Sequence, residues 1–175
     1  MLLLMELKDY IRIQENFPRE GISFKDISPL LENPKAFAET IDRMKEIAEK
    51  WSPDLIVGPE SRGFIFGAPL AIAMNKGFLM ARKAGKLPGK ALSVTYDLEY
   101  GRATLEIPAF AVNKGTRIVI VDDLLATGGT LQALEKLFAE AGAEVVGIIT
   151  AIELTSLKGR DNLKAPYETL ISFPR

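Results

Sequence analysis

Apolar positions in this chain switch repeatedly between two spacings. Phe37, Ile41, Met44, Ile47, Ala48 and Trp51 recur every three or four residues, the stripe of a helix packed on one face. Asn33-Pro34 just before them supplies an N-cap and a proline at the first helical position. Residues 54–58 then form a short apolar strand. Residues 63–75 read as a helix rich in small side chains, closed by Gly77, and residues 78–81 as a second strand. The clearest strand is 117–121, β-branched at its centre and apolar enough to be covered on both faces. Residues 130–141 are amphipathic, with Leu131, Leu134, Leu137, Phe138 and Ala141 on one face and Gly142 as the stop. Residues 145–152 form a fourth strand and 169–173 a fifth. Strands alternating with helices predict an α/β fold with a mostly parallel central sheet flanked by helices.

Residues 83–108 interrupt that rhythm. Lys83, Lys86 and Lys90 are interleaved with Gly85, Pro88 and Gly89, and two alternating segments, 92–96 and 103–107, flank Asp97-Leu98-Glu99-Tyr100-Gly101. This pattern predicts a β-ribbon with a long tip, and long tips carrying charge and an aromatic ring commonly act as lids. The apolar run of residues 1–5 is too short for a targeting segment and leads into Glu6, Lys8 and Asp9, so it reads as an N-terminal helix or arm.

Composition narrows the chemistry. A length of 175 residues suits one domain with a full core. The net charge of −1 gives no long-range field toward nucleic acid or anionic membranes, and no stretch is long enough to span a bilayer; a cytoplasmic protein is expected. With no cysteine there are no disulfides, thiol nucleophiles or thiolate metal sites. With no histidine, proton transfer falls to carboxylates, Lys, Tyr or the backbone.

The densest chemistry lies at 119–130. Asp122 and Asp123 sit at a strand's C-terminal end, where parallel α/β sheets place ligands, and carboxylates accept hydrogen bonds from vicinal hydroxyls. Ala126-Thr127-Gly128-Gly129-Thr130 has little bulk, so its N–H groups can close on a phosphate at the start of the next helix. A sugar-hydroxyl site and a phosphate site therefore lie one turn apart, as a ribose 5-phosphate requires. Two further groups are cationic. Glu60-Ser61-Arg62 follows the first strand and suits a dense anion, though Arg62 is equally consistent with a surface ion pair to Glu60. Arg82, Lys83 and Lys86 fit a second anion contact or a solvated basic loop.

The wording of residues 121–130 resembles the phosphoribosyl pyrophosphate signature of the type I phosphoribosyltransferases, and in particular their adenine-specific branch. The resemblance extends over nearly the whole chain: Phe17-Pro18, residues 21–29, Ser61-Arg62-Gly63-Phe64, Arg82-Lys83 with residues 85–88, Tyr96 with residues 98–101, and Glu153-Leu154. It implies a single domain over 1–175, with 1–33 as a small hood on the base side and 83–108 as a flexible catalytic ribbon. The implied reaction is purine salvage, joining adenine to 5-phosphoribosyl 1-pyrophosphate to give AMP and pyrophosphate; hypoxanthine, guanine or xanthine as the base, and a non-catalytic nucleotide sensor, are the rival expectations.

Residue roles follow from the same resemblance. Glu60, Ser61, Arg62, Arg82, Lys83 and Lys86 would bind pyrophosphate, with a cis or strained peptide between Glu60 and Ser61. Many relatives carry Asp at the position of Glu60. Asp122 and Asp123 would hold the ribose, and residues 126–130 the 5-phosphate. Glu99 would move a proton at the base's imidazole nitrogen under a closed lid, with Tyr100 positioning. Phe24 and Leu154 would wall the base, and main-chain groups around Ser23 and Lys25 would read its edge. Mg²⁺ would bind mainly through the substrate pyrophosphate. A homodimer is implied, with Arg82 in some relatives reaching the neighbouring site.

Overall fold

The computed structural model describes residues 5–98 and 101–175. Glu99 and Tyr100, on which the proton-transfer and lid expectations fall, lie outside the described residues, as does the start of the N-terminal apolar run.

In chain order the strands are β1 (Arg12–Glu15), β2 (Ser23–Asp26), β3 (Leu55–Pro59), β4 (Gly77–Lys83), β5 (Ala91–Asp97), β6 (Arg102–Pro108), β7 (Arg117–Leu125), β8 (Glu144–Leu154) and β9 (Tyr167–Phe173). The helices are α1 (Ser28–Glu32), α2 (Pro34–Glu49), α3 (Arg62–Ala73) and α4 (Gly129–Glu140). Among the described residues the main sheet runs β5-β6-β4-β3-β7-β8-β9. The contacts of β3 with β4 and β7, and of β8 with β7 and β9, are parallel; β6 pairs antiparallel with β4 and β5. The mostly parallel sheet flanked by helices is as expected.

Period-two alternation explains why the central strands read as unbroken apolar runs. On β7, Val119 and Val121 face a core that includes Leu30, Met44, Phe66 and Leu70 from α1, α2 and α3. Ile118 and Ile120 face the opposite core, with Leu134 and Phe138 of α4 and Val94, Leu105 and Ile107 of the ribbon. All four β7 side chains are fully buried, each contributing roughly 1.5–3 kcal/mol of transfer free energy. Asn33 caps α2 as its sequence predicts, its side chain accepting from the Lys35 and Ala36 N–H groups at 3.1 and 3.0 Å.

Some boundaries differ from expectation. β7 continues past the two acids to Leu125, because Leu124 and Leu125 still pair with Ile152 and Glu153 of β8. The left-handed residue after α3 is Asn75, at φ 53°, while Gly77 opens β4. Trp51 lies beyond α2, where its carbonyl accepts from Arg117 Nη2 at 2.7 Å. The 83–108 segment is no free ribbon: Arg82 and Lys83 of β4 register with Glu106 and Leu105 of β6, so its two strands form the edge of the main sheet. The small antiparallel pair β1–β2 carried no periodic signal, since every β1 residue is exposed.

Candidate functional site

The carboxyl ends of β3 and β7 are adjacent, and their loops build the site from opposite sides. At the end of β7, Asp123 is nearly buried and its Oδ2 accepts from Arg62 Nε at 2.5 Å. Arg62 is the first residue of α3, and the Asp123 charge raises its pKa above the ordinary guanidinium value. Thus Arg62 pairs with Asp123 and not with Glu60. The neighbouring Asp122 takes the Asp123 N–H at 2.9 Å. Burial, and next the like charge of Asp123, push its carboxyl well above the usual carboxylate range.

The β3 loop carries a cis peptide between Glu60 and Ser61, as the resemblance implied. The Glu60 N–H donates to Ala81 O at 2.8 Å. Its carboxylate accepts from the Lys83 N–H at 2.9 Å and from Arg82 Nη2 at 3.4 Å. The Lys83 N–H, followed by Arg82, holds the Glu60 carboxyl below its usual range. Glu60 therefore fastens the loop to β4. Arg82 is drawn into this fastening: its Nη1 donates to Lys86 O at 3.4 Å, and its buried Nε has no partner among the described residues.

On the other side, Gly128 adopts φ 88° and caps α4, and the Gln132 N–H donates to its carbonyl at 2.9 Å. The first N–H groups of such a helix have no intrahelical acceptor, so the turn presents donors where Thr130 also lies. Tyr96 of β5 reaches across, its hydroxyl 3.2 Å from Thr130 Oγ1.

Two clefts result. The first, of about 650 Å³, is lined by Glu60, Ser61, Arg62, Lys83, Asp122, Asp123 and Thr130, and roofed by Tyr96, Leu98 and Arg102 of the ribbon. The second, of about 410 Å³ and mostly apolar, is lined by Ser23, Phe24, Lys25, Ile65, Leu124 and Leu154 among others. Arg62 and Asp123 line both, so the ion pair marks their junction. The expected base-side residues Ser23, Phe24, Lys25 and Leu154 do share one wall. Phe24 is fixed edge-to-face against Phe17 with ring centroids 5.3 Å apart. Lys25 turns its ammonium onto Ser23 O and Oγ at 3.0 and 2.7 Å, and burial lowers its pKa despite the opposing pull of Glu15.

Not every expected residue lines these clefts. Arg82 and Lys86 stand behind the Glu60 loop, and of residues 126–130 only Thr130 lines the polar cleft: Ala126, Thr127 and Gly128 lie toward the 159–162 segment, and Gly129 lies beside Tyr96 and Asp97. Sequence reasoning left out Arg102, Asp26 and Ile65, all lining residues. It also gave no role to Glu153, which is almost fully buried and held by Arg160 through two hydrogen bonds, Nε to Oε1 at 2.7 Å and Nη2 to Oε2. A glutamate directly after the apolar run of residues 145–152 was the available signal for that pair.

A polar cleft meeting an apolar pocket at the carboxyl end of a mostly parallel sheet has matching relatives. A family model described as the phosphoribosyl transferase domain matches residues 26–171, and the chain belongs to this family. Within it the chain is one of the adenine phosphoribosyltransferases. The enzyme of that name from Ruminiclostridium cellulolyticum is 56% identical over 171 residues, covering 97% of this chain and 100% of the relative. The crystal structure of the Thermoanaerobacter pseudethanolicus adenine phosphoribosyltransferase superposes with a TM-score of 0.92 at 49% identity, covering 95% and 98% of the two chains. That of the Saccharomyces cerevisiae enzyme, complexed with an imino-altritol bisphosphate and adenine, gives 0.90 at 43% identity over 94% and 96%.

Proposed function

We propose that this transferase joins adenine to 5-phosphoribosyl 1-pyrophosphate, releasing AMP and pyrophosphate, with the two substrates meeting at the Arg62–Asp123 junction. The observation that carries this reading is the sharing of that pair by a polar cleft and an apolar pocket. Adenine is flat and largely apolar, and stacks against the Phe24 and Leu154 walls. Main-chain groups around Ser23 and Lys25 read its polar edge. The ribosyl pyrophosphate occupies the polar cleft. Asp122 and Asp123 take its ribose hydroxyls, and the 126–130 turn takes its 5-phosphate.

Ground-state contacts must rearrange for this to work. Arg62 exchanges Asp123 for the pyrophosphate, which frees the Asp123 carboxylate for the sugar. As the bond at the anomeric carbon lengthens, positive charge develops on the ribose and negative charge on the leaving group. The two carboxylates stabilise the first, and Arg62, Lys83 and the Ser61 loop the second. Arg82 and Lys86 add positive charge from behind the loop. Glu99 exchanges the proton at the imidazole nitrogen of adenine, and Tyr100 helps cover the site, excluding water from the cation-like centre.

Hard oxygen donors at Asp122 and Asp123 suit Mg²⁺, which keeps several waters and binds through substrate phosphates. Carried mainly by the substrate pyrophosphate, it would supply neutralising charge to that leaving group. The active form is a homodimer in the cytoplasm. Among the described residues no helix is long and apolar enough to cross a membrane.

The test is a turnover assay with adenine, hypoxanthine, guanine and xanthine, with and without Mg²⁺. Adenine is expected to be the preferred base and Mg²⁺ to be required; faster turnover of any 6-oxopurine would overturn the base assignment. Glu99→Gln should slow turnover while sparing AMP binding, and unchanged turnover would remove Glu99 from the proton step.

A further inference from the structure

The phosphate turn is shaped from behind by a segment to which no role has been given. Gly159–Asn162 forms a short 3₁₀ turn packed against residues 125–128. Asn162 Nδ2 donates to Thr127 O at 3.0 Å. A Cβ on Gly128 would lie 2.8 Å from Gly159 O, and one on Gly159 would collide with Ala126 O and come within 3.0 Å of Leu125 Cδ1. Backbone thus touches backbone, and the Ala126 and Thr127 carbonyls face the 159–162 segment. An anion cradle needs this arrangement, because a carbonyl turned inward would repel the phosphate that the N–H groups attract.

The segment is itself fastened. Arg160 holds Glu153 through two hydrogen bonds and lies over the Tyr167 ring, its guanidinium carbon 5.1 Å from the centroid. Glu153 is nearly fully buried at the end of β8, in register with Leu125 of β7 and next to the base-side residue Leu154. The order of support runs from Glu153 to Arg160, to the 159–162 backbone, and to the turn.

We propose that Asn162 and Arg160 are positioning residues for the 5-phosphate subsite, holding the carbonyls of the 126–128 turn away from the ligand so that its N–H groups converge on the anion. The proposal rests on the reading of residues 126–130 as the phosphate site. It requires a defect specific to ligands that carry a 5-phosphate.

AMP and adenosine binding are measured by titration calorimetry for the wild-type chain and for Asn162→Ala, Arg160→Lys and Thr130→Ala. Asn162 is exposed, so its truncation leaves the core intact. Loss of its hydrogen bond should weaken AMP roughly 3- to 10-fold while leaving adenosine unchanged. Arg160→Lys, which keeps the charge but not the two-pronged geometry, should weaken AMP in the same selective way, and the KM for 5-phosphoribosyl 1-pyrophosphate should rise more than kcat falls. Thr130→Ala removes a direct contact and reports on the phosphate site itself. If Thr130→Ala weakens AMP but Asn162→Ala and Arg160→Lys do not, the positioning role is overturned and the phosphate site stands. If none of the three alters the AMP-to-adenosine ratio, both fall. Equal losses for AMP and adenosine would make the segment merely structural.

Discussion

Asp122 carries its carboxyl in surroundings that disfavour its charge. Its carboxyl is raised well above the ordinary value of 3.8, by burial first and by the Asp123 charge second. An acid whose folded pKa is raised binds its proton more tightly when folded, so it adds nothing to instability below the unfolded pKa. Its cost begins as pH climbs past about 4 and is complete above the folded pKa. Asp122→Asn should therefore raise the melting temperature at pH 7.5, with the gain shrinking as pH falls toward 4, and should abolish most turnover. A melting series across that range checks the sign. Glu60 behaves oppositely: its depressed pKa means that its anchoring of the loop weakens as pH falls through the folded value. Arg62→Gln breaks the shared ion pair, and kcat/KM should fall by roughly 100-fold, the usual loss when one preorganised donor to a developing charge is removed. Steady-state kinetics with varied ribosyl pyrophosphate measures it.

At the scale of elements, the best-read pieces were those whose signal is local. The α2 start at Asn33-Pro34 was legible because an Asn side chain and a proline act on their own neighbours. Asn33→Ala should cost about 1 kcal/mol, visible as a lower urea midpoint with unchanged activity. The start of α4 was legible for the same reason, since small residues and a left-handed Gly128 define the turn. The ribbon was read only by half. Its alternation predicted two strands, but not that β6 would pair with β4 and place Tyr96 against Thr130. That hydrogen bond ties the edge of the sheet to the start of α4, the proposed 5-phosphate site. Tyr96→Phe should raise the KM for ribosyl pyrophosphate several-fold, on the order of one lost hydrogen bond, with the fold intact by circular dichroism.

At the scale of the molecule, two cores on opposite faces of one sheet leave the carboxyl edge open, and loops from β3, β7 and β8 converge there. The outer surface keeps Ile72 of α3 at 81% exposure and Met80 of β4 at 43%; Phe78, two residues before Met80 and so on the same face of β4, packs against Gly67 and Phe64 of α3, which puts Met80 on the α3 side of the sheet. Such a side suits the homodimer proposed above. Light scattering should give twice the 19.2 kDa chain mass, and Ile72→Asp should shift it toward one chain.

The sequence by itself determined the alternation of strands and helices, the cap of α2, the small-residue turn that opens α4 and the restriction of acid–base chemistry to groups other than histidine. Each is decided by a residue's own conformational preference or by its near neighbours. The tertiary structure alone decided that Arg62 pairs with Asp123, sixty-one positions away, that Glu60 serves as an anchor for Lys83 and Arg82, and that the 159–162 segment packs against residues 126–128 and hydrogen-bonds Thr127 O. Those contacts join parts of the chain that only the parallel sheet brings together, and no spacing along a strand or helix encodes them.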